Sequence, residues 1–194
     1  MRKANTQKSD THTRIIDAAG TLFRQHGIDG VGVDAIMRAA GLTHGGFYGH
    51  FPSKEALVAE MSAASLARSA DRWERISHEA PPGAALDQIV SAYLDPAHVA
   101  AVERGCVLTT LGPEVARRVE PRPAITDSMR RMLDVIARCS PGHDPAQARA
   151  ALSCMVGAVV LARLADDPAL ATGFLEAARE AVTGSQPTGE TGGE

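Results

Sequence analysis

The stretch of sequence from residue 41 to residue 54 decides the fold of the N-terminal part. It reads Gly41-Leu42-Thr43-His44-Gly45-Gly46-Phe47-Tyr48-Gly49-His50-Phe51-Pro52-Ser53-Lys54. Gly41 can adopt the left-handed conformation that ends a preceding helix, and Thr43 is a favourable N-cap for a new one. Pro52 ends that helix, and Ser53 caps the next. The pattern predicts a short helix held between two longer helices.

The composition of this short helix indicates what it contacts. Gly45 and Gly46 leave its first turn without bulk, so the backbone can approach another surface closely. Phe47 and Phe51 are assigned to the core beneath it. A short helix with a bare N-terminus, fixed between two longer helices, has the geometry of a recognition helix in a DNA major groove.

Together with its flanks, the stretch resembles the DNA-binding signature of the TetR family of transcriptional regulators. The resemblance covers roughly residues 13–57: helices at Ile15–Gly27 and Val33–Ala40, a Gly-Leu-Thr turn, and Phe47-Tyr48-x-His50-Phe51-x-Ser53-Lys54. The rest of the chain is similar to the family only in length and helical character. Three positions depart from the family pattern, namely Gly32, His44 and Gly49. The last two lie on the DNA-facing segment, so the operator sequence does not carry over.

The resemblance implies an all-α protein: an N-terminal three-helix helix-turn-helix DNA-binding domain at 1–52, then a larger helical ligand-binding and dimerisation domain at 53–184. Residues 185–194 are expected to be a disordered tail, because they are rich in Gly, Thr and Glu. Residues 1–10 are polar and expected to be mobile, with Thr11 or Thr13 capping the first helix. Later helix starts are predicted where an Asp cap precedes a first-turn proline, at Asp95-Pro96, Asp144-Pro145 and Asp167-Pro168.

Side chains on the predicted short helix suit contacts with DNA. A tyrosine hydroxyl can bond a phosphate, and its ring can touch a thymine methyl group. Lys54 begins the following helix, where an ammonium and free backbone amides suit a phosphate. The resemblance carries Tyr48, His50 and Lys54 over as DNA contacts, with inward packing of Tyr48 against Phe51 as the alternative. The full predicted set is Thr43, His44, Gly45, Gly46, Tyr48, His50 and Lys54.

The charge distribution supports a DNA-binding head better than the total charge does. The net charge of −3 by itself argues against a nucleic-acid-binding protein. Residues 1–54, however, contain seven Lys or Arg residues and only four Asp residues. A basic N-terminal part on an acidic remainder is consistent with a DNA-binding head. Aromatic residues make up only 4% of the chain, which favours helix packing over a β-rich core.

The cysteines and the apolar runs predict a cytoplasmic protein without a membrane span. Three widely spaced cysteines, Cys106, Cys139 and Cys154, argue for a reduced protein rather than a disulfide scaffold. The polar opening segment does not resemble a signal peptide. The longest uncharged run, 150–162, is shorter than the roughly 18 apolar residues needed to span a bilayer.

The larger domain is expected to bind a small-molecule effector. A mostly apolar lining predicts a small, lipophilic ligand, although ordinary core packing is the alternative for each residue. The candidate lining residues are Met61, Trp73, Tyr93, Leu108, Leu111 and Met129.

The last two long helices are the predicted homodimer interface. The helix at 146–164 is apolar around much of its circumference, and the last helix carries Leu170, Phe174, Leu175 and Ala178. With a symmetry mate they can form a four-helix interface, whereas burial within one chain is the alternative. Two DNA half-sites favour the dimer, because a single short helix reads too few bases.

No motif indicates an enzyme, a cofactor or a metal site. There is no Gly-x-Ser-x-Gly elbow or phosphate-binding loop. His44 and His50 are six residues apart, which is unsuitable for chelation on one helix face. Cys106 follows Arg104-Gly105 at a predicted helix start, where a lowered pKa would make it a redox candidate. A small buried apolar residue is the alternative for Cys106.

Together with these observations, the resemblance to the TetR family implies a ligand-responsive repressor that binds a palindromic operator as a dimer and is released by a small lipophilic effector. Two alternatives stay open. One is a thiol-based redox regulator that uses Cys106, and the other is a small-molecule binding protein that has lost DNA binding.

Overall fold

The computed structural model describes residues 2–118 and 123–184, with side chains from Ser9 onward, and these residues form helices without a strand. The expected all-α fold is therefore confirmed. The α-helices are α1 Arg2–His26, α2 Val33–Ala39, α3 Lys54–Glu79, α4 Ala85–Tyr93, α5 Pro96–Ala100, α6 Val107–Thr110, α7 Gly112–Arg117, α8 Pro123–Cys139, α9 Pro145–Leu164 and α10 Pro168–Thr183. Short 3₁₀ helices are His44–Gly49, Val102–Arg104 and Pro141–His143.

The described residues divide into two compact units. Within the described residues, the first unit draws on 2–70, 101–118 and 123–131, and the second on Asp71–Ala100 and 132–184. The domain boundary at residue 52 stays a prediction. The tail predicted at 185–194 lies outside the described residues.

The core of the first unit forms where α1, α2 and the 3₁₀ helix His44–Gly49 meet. Phe23 and Phe47 are fully buried, and Phe51 is 1% exposed. Ile15 and Ala19, which recur with Phe23 at helical spacing, are fully buried as well. Burial of a large apolar side chain stabilises a fold by about 1.5–3 kcal/mol, so these rings hold the short helix in place.

Helix α1 begins earlier than the sequence predicted. It starts at Arg2, and neither Thr11 nor Thr13 caps it. The hydroxyl of Thr13 donates to the Ser9 carbonyl oxygen at 3.1 Å. A threonine that bonds the carbonyl four residues earlier lies inside a helix, which explains why the cap prediction was wrong.

The three Asp-Pro helix starts are confirmed by their capping bonds. In each case an Asp Oδ1 atom accepts a hydrogen bond from the backbone amide two residues later, and the proline needs no amide partner. The acceptor and donor pairs are Asp95 with Ala97 at 2.7 Å, Asp144 with Ala146 at 2.8 Å and Asp167 with Ala169 at 2.8 Å.

In the second unit, α9 packs against α10. Ala148, Met155 and Val159 of α9 are fully buried. Of the part of the chain described, α9 is the one helix long and apolar enough to cross a membrane, a test that the core helix of a soluble protein also passes. The uncharged run at 150–162 is shorter than the helix, because Arg149 and Arg163 lie within α9 and bound the run at its two ends.

An aromatic cluster forms a second part of this unit. The rings of Trp73 and Tyr93 meet edge to face at 5.7 Å, and those of Tyr93 and His98 at 4.9 Å. Nδ1 of His98 lies 2.5 Å from the Tyr93 carbonyl oxygen. Arg163 donates to the carbonyl oxygens of Val99 and His98 at 3.0 and 3.1 Å, which joins α5 to α9.

His98 is expected to make the fold less stable at acidic pH. Burial lowers its pKa below the ordinary value of 6.5, despite the hydrogen bond to the Tyr93 carbonyl. Below that value the unfolded chain binds more protons, so stability is retained above about pH 6.5 and is lost as the pH falls towards the folded-state pKa. Between pH 7.5 and pH 5.5, the free energy of unfolding measured with urea should therefore fall less for His98→Gln than for the wild type. Exposed His26→Gln is the control, and equal losses in all three proteins would contradict the prediction.

Candidate nucleic-acid interface

The turn that leads into the short helix depends on Gly41. Its φ of +69° is left-handed, as the sequence predicted. The amides of Gly41 and Leu42 donate to the carbonyl oxygens of Arg38 and Met37, both at 2.9 Å, and so close the end of α2. A Cβ atom at residue 41 would lie 2.8 Å from Nη2 of Arg14. That same Nη2 donates a short hydrogen bond to the Ala40 carbonyl oxygen, which fixes the turn against α1.

The short helix is a 3₁₀ helix, His44–Gly49, rather than an α-helix. Three of its six residues are glycines, which have low helix propensity, and short helical pieces commonly adopt the tighter 3₁₀ form. Helix α3 starts after Ser53, whose Oγ accepts a hydrogen bond from the Ala56 amide at 3.1 Å. The predicted Ser53 cap is therefore confirmed.

One face of the 3₁₀ helix anchors it, and the other faces are open. Phe47 is buried, and its ring lies 5.7 Å from that of Phe51. Tyr48 is 67% exposed and touches Phe47 only with a ring edge at 5.3 Å, so it does not pack inward against Phe51. The other exposed residues between 43 and 50 are Thr43, His44, Gly45, Gly46 and Gly49.

Thr43 and His44 differ in whether their side chains contact other residues of the protein. Thr43 occupies the N-cap position, but its side chain makes no capping hydrogen bond. Nδ1 of His44 pairs closely with Oδ1 of Asp34 at the start of α2. Nζ of Lys54 lies 5.8 Å from the centroid of the Phe23 ring, and the side chain is half-buried.

His50 faces the protein more than the sequence suggested. It is half-buried, and its ring centroid lies 6.0 Å from that of His12 on α1. His12 in turn stacks on Phe51 at 4.3 Å, and its Nε2 lies 3.1 Å from Oε1 of Glu60. His12, Glu60 and Asp34 were not identified from the sequence, because their partners lie on other helices at no recognisable spacing.

The six predicted effector-lining residues fall into both compact units. Met61 and Leu111 are buried in the first unit, where Leu108 and Met129 are half-buried. Trp73 and Tyr93 are the pair already described in the second unit. A concavity of about 260 Å³ in the second unit contains none of the six. Its lining residues are Leu86, Ser140, Pro141, Gln147, Ala150, Ala151, Cys154, Ala181 and Val182.

The cysteines do not favour the thiol-based alternative. Cys106 is 6% exposed at the N-cap of α6, and its carbonyl oxygen accepts from Thr109 Oγ1 at 2.9 Å. Arg104, the cation that the sequence placed beside it, instead lies 3.4 Å from Glu103, and the cation that interacts with Cys106 is Arg24. Burial raises the pKa of the Cys139 thiol, which lowers its thiolate content.

The N-terminal part of the chain matches a known family. Residues 15–61 match the family described as bacterial regulatory proteins, tetR family. The HTH-type transcriptional regulator AcrR of Shigella flexneri is 37% identical over 60 residues, which is 31% of this chain and 28% of AcrR. The HTH-type transcriptional repressor KstR2 of Rhodococcus jostii (strain RHA1) is 43% identical over 54 residues, 28% of this chain and 26% of KstR2. The match thus spans less than a third of the length of these relatives.

The fold also resembles a solved structure over nearly the whole chain. Crystalline E. coli NemR in its reduced form is similar with a TM-score of 0.74, covering 93% of this chain and 100% of NemR. The sequence identity is only 21%, so this likeness concerns the fold alone.

Proposed function

Because the chain carries the N-terminal DNA-binding domain of the TetR family of bacterial regulatory proteins, we propose that it is a transcriptional regulator that binds a palindromic DNA operator as a homodimer. The observation that carries this proposal is the 3₁₀ helix His44–Gly49, which buries Phe47 and presents Tyr48 to solvent. An exposed, rigidly anchored side chain suits readout of a major groove. The relatives named above are regulators rather than enzymes, and a regulator of this kind works in the cytoplasm.

The DNA contacts divide by chemistry. Tyr48 offers a ring edge to a thymine methyl group and a hydroxyl to a phosphate or base. The Thr43 hydroxyl and the Lys54 ammonium suit phosphate oxygens, and Gly45 and Gly46 let the backbone approach the groove. His44 and His50 complete the proposed contact set, although each already contacts another side chain of the protein.

The proposed dimer uses α9 and α10. Three of the large apolar side chains that the structure exposes lie there: Leu161 at 44%, Leu164 at 77% and Leu170 at 51% exposure. A second copy of the chain would cover them, and the two heads would then reach two half-sites.

A lipophilic effector is proposed to release the operator by favouring a different spacing of the heads. Such coupling requires the effector to bind the two arrangements with different affinity. Within the first unit, α7 is joined to the connection between α1 and α2. The Ile28 amide donates to Oε2 of Glu114 at 2.8 Å, and Arg118 pairs with Asp29, lowering the pKa of that carboxyl group. These two contacts connect the segment after residue 100 directly to the DNA-binding helices.

Loss of the Glu114 contact is expected to destabilise this unit. Glu114→Ala leaves the part-buried Ile28 amide without its acceptor, so the free energy of unfolding should fall by about 1–3 kcal/mol. Glu114→Gln keeps a carbonyl acceptor on a side chain of the same length, so its free energy of unfolding should fall by less than half as much. Urea unfolding of the three proteins measures this, and equal stability of Glu114→Ala and wild type would refute it.

Gly49 is expected to lower the stability of the fold and to strengthen operator binding. A Cβ atom there would meet nothing within 4 Å, and the residue has no left-handed φ. Gly49→Ala should therefore raise the free energy of unfolding by up to about 1 kcal/mol, while its methyl group weakens operator binding several-fold. Gly41→Ala, with its left-handed φ and its close Arg14 neighbour, should lower stability instead. Thermal unfolding and fluorescence anisotropy would test both, and an unchanged operator affinity for Gly49→Ala would count against close approach at this position.

The proposed function is tested with DNA from upstream of the protein's own coding sequence. Fluorescence anisotropy at several salt concentrations should show tight binding with a steep salt dependence, and footprinting should show a protected palindrome. Weak binding that is equal for scrambled DNA, with no protected palindrome, would refute the proposal.

A further inference from the structure

A partly buried arginine in the first unit has no carboxylate partner among the described residues. Arg24 of α1 donates from Nη1 to the Gly20 carbonyl oxygen at 2.7 Å and from Nη2 to Ser65 Oγ of α3 at 2.5 Å. Its Nε is buried and has no hydrogen-bond partner among residues 9–118 and 123–184. No carboxylate of these residues lies within ion-pair distance of it. Asp17 on the same helix pairs with Arg68 instead, at 3.3 Å.

The surroundings of Arg24 make its positive charge unfavourable for the stability of the fold. Burial and then the neighbouring Arg68 lower the pKa of Arg24 below its ordinary value, and Cys106 offsets only part of this, yet an arginine remains charged at neutral pH. A desolvated cation without a counter-charge destabilises a fold, and an apolar replacement of similar size would remove that cost. An anion bound at this position would offset the cost while keeping the arginine.

A second buried donor lies one helical turn from the Ser65 contact. Ser62 is 1% exposed, and its Oγ has no hydrogen-bond partner among the described residues. Residues 62 and 65 share one face of α3, because side chains three apart are neighbours on a helix. Met61, which is fully buried, lies beside Arg24: the position of a Cβ on Gly20 is 3.0 Å from Arg24 Nη1 and 3.5 Å from Met61 Cγ.

We propose that Arg24, Ser62 and Ser65 bind the carboxylate of a monoanionic effector whose apolar chain lies against Met61. One guanidinium without a counter-charge matches a single negative charge, and its Nε–Nη2 edge has the geometry for two parallel bonds to a carboxylate. The two serine hydroxyls supply further donors to the oxygens. The regulatory role of this site rests on the proposed function, but the binding site itself does not.

The test compares charged and neutral ligands with the same chain. Isothermal titration calorimetry of the full-length, DNA-free protein would use straight-chain monocarboxylates from acetate to dodecanoate and the matching primary alcohols. At least one carboxylate should bind at least about tenfold more tightly than its alcohol. Arg24→Met should abolish this preference, Ser62→Ala should reduce it, and Arg75→Met, which removes an exposed arginine of the same helix, should leave it unchanged.

Two results would overturn the proposal. One is equal affinity for carboxylates and alcohols throughout the series. The other is a marked loss of stability in ligand-free Arg24→Met with the carboxylate preference retained, since Arg24 would then serve only to join α1 to α3. If Arg24→Met does not fold, Arg24→Lys and Ser62→Ala carry the test, with the preference expected to survive in the first and weaken in the second. Operator binding without ligand, measured in parallel, separates failure of the proposed function from failure of this site.

Discussion

Tyr48→Ala is expected to weaken operator binding by about a hundredfold or more while leaving the stability of the protein unchanged. Tyr48 is 67% exposed, and its only ring contact among the described residues is an edge against Phe47, so its removal costs the fold little. One good groove contact provides about 1–3 kcal/mol of discrimination, and a dimer makes the contact twice. Because a tenfold change corresponds to about 1.4 kcal/mol, two lost contacts give an effect of this size.

Fluorescence anisotropy at one fixed salt concentration measures the effect. Tyr48→Phe is the matched control, because it keeps the ring and removes only the hydroxyl, and it should retain the part of the affinity that comes from a thymine methyl contact. A Tyr48→Ala protein that binds the operator as tightly as the wild type would show that the 3₁₀ helix does not read the groove. Thermal unfolding of the same samples excludes a folding defect as the cause.

The double substitution Leu161→Glu and Leu164→Glu is expected to convert the dimer to a monomer and to lower operator affinity by at least about a hundredfold. These side chains are 44% and 77% exposed on α9, and two buried glutamates per protomer in an apolar interface would lack partners. A monomer would contact one half-site only, which removes the contribution of the second head.

Sedimentation velocity and operator binding test this prediction together. Val102→Glu is the control, because Val102 is also a large apolar residue, 38% exposed, but lies outside α9 and α10. A double variant that still sediments as a dimer would place the interface elsewhere. A monomeric variant that binds the operator normally would contradict the need for two heads.

The helix ends and turns of this protein could be predicted from the sequence with good accuracy. Gly41 has the left-handed φ, Ser53 caps α3, and the three Asp-Pro pairs cap α5, α9 and α10. Each of these depends on groups within about four residues of one another, so residue types and spacing carry the information. The assignment of Phe47 and Phe51 to the core is confirmed as well, since both side chains are buried.

The contacts around the candidate sites required the three-dimensional structure. Glu114 reaches the Ile28 amide across 86 residues, and Arg24 reaches Ser65 across 41. Asp34 engages His44, and His12 lies against His50, through packing that no local pattern specifies. The first helix also extends to Arg2, so Thr13 lies inside it and bonds a carbonyl of the preceding turn instead of capping the helix. Local chemistry thus specifies where helices begin and end. Partners that are distant in the sequence meet only when the helices pack. That packing decides which polar groups have hydrogen-bond partners within the protein and which remain open to DNA or a ligand.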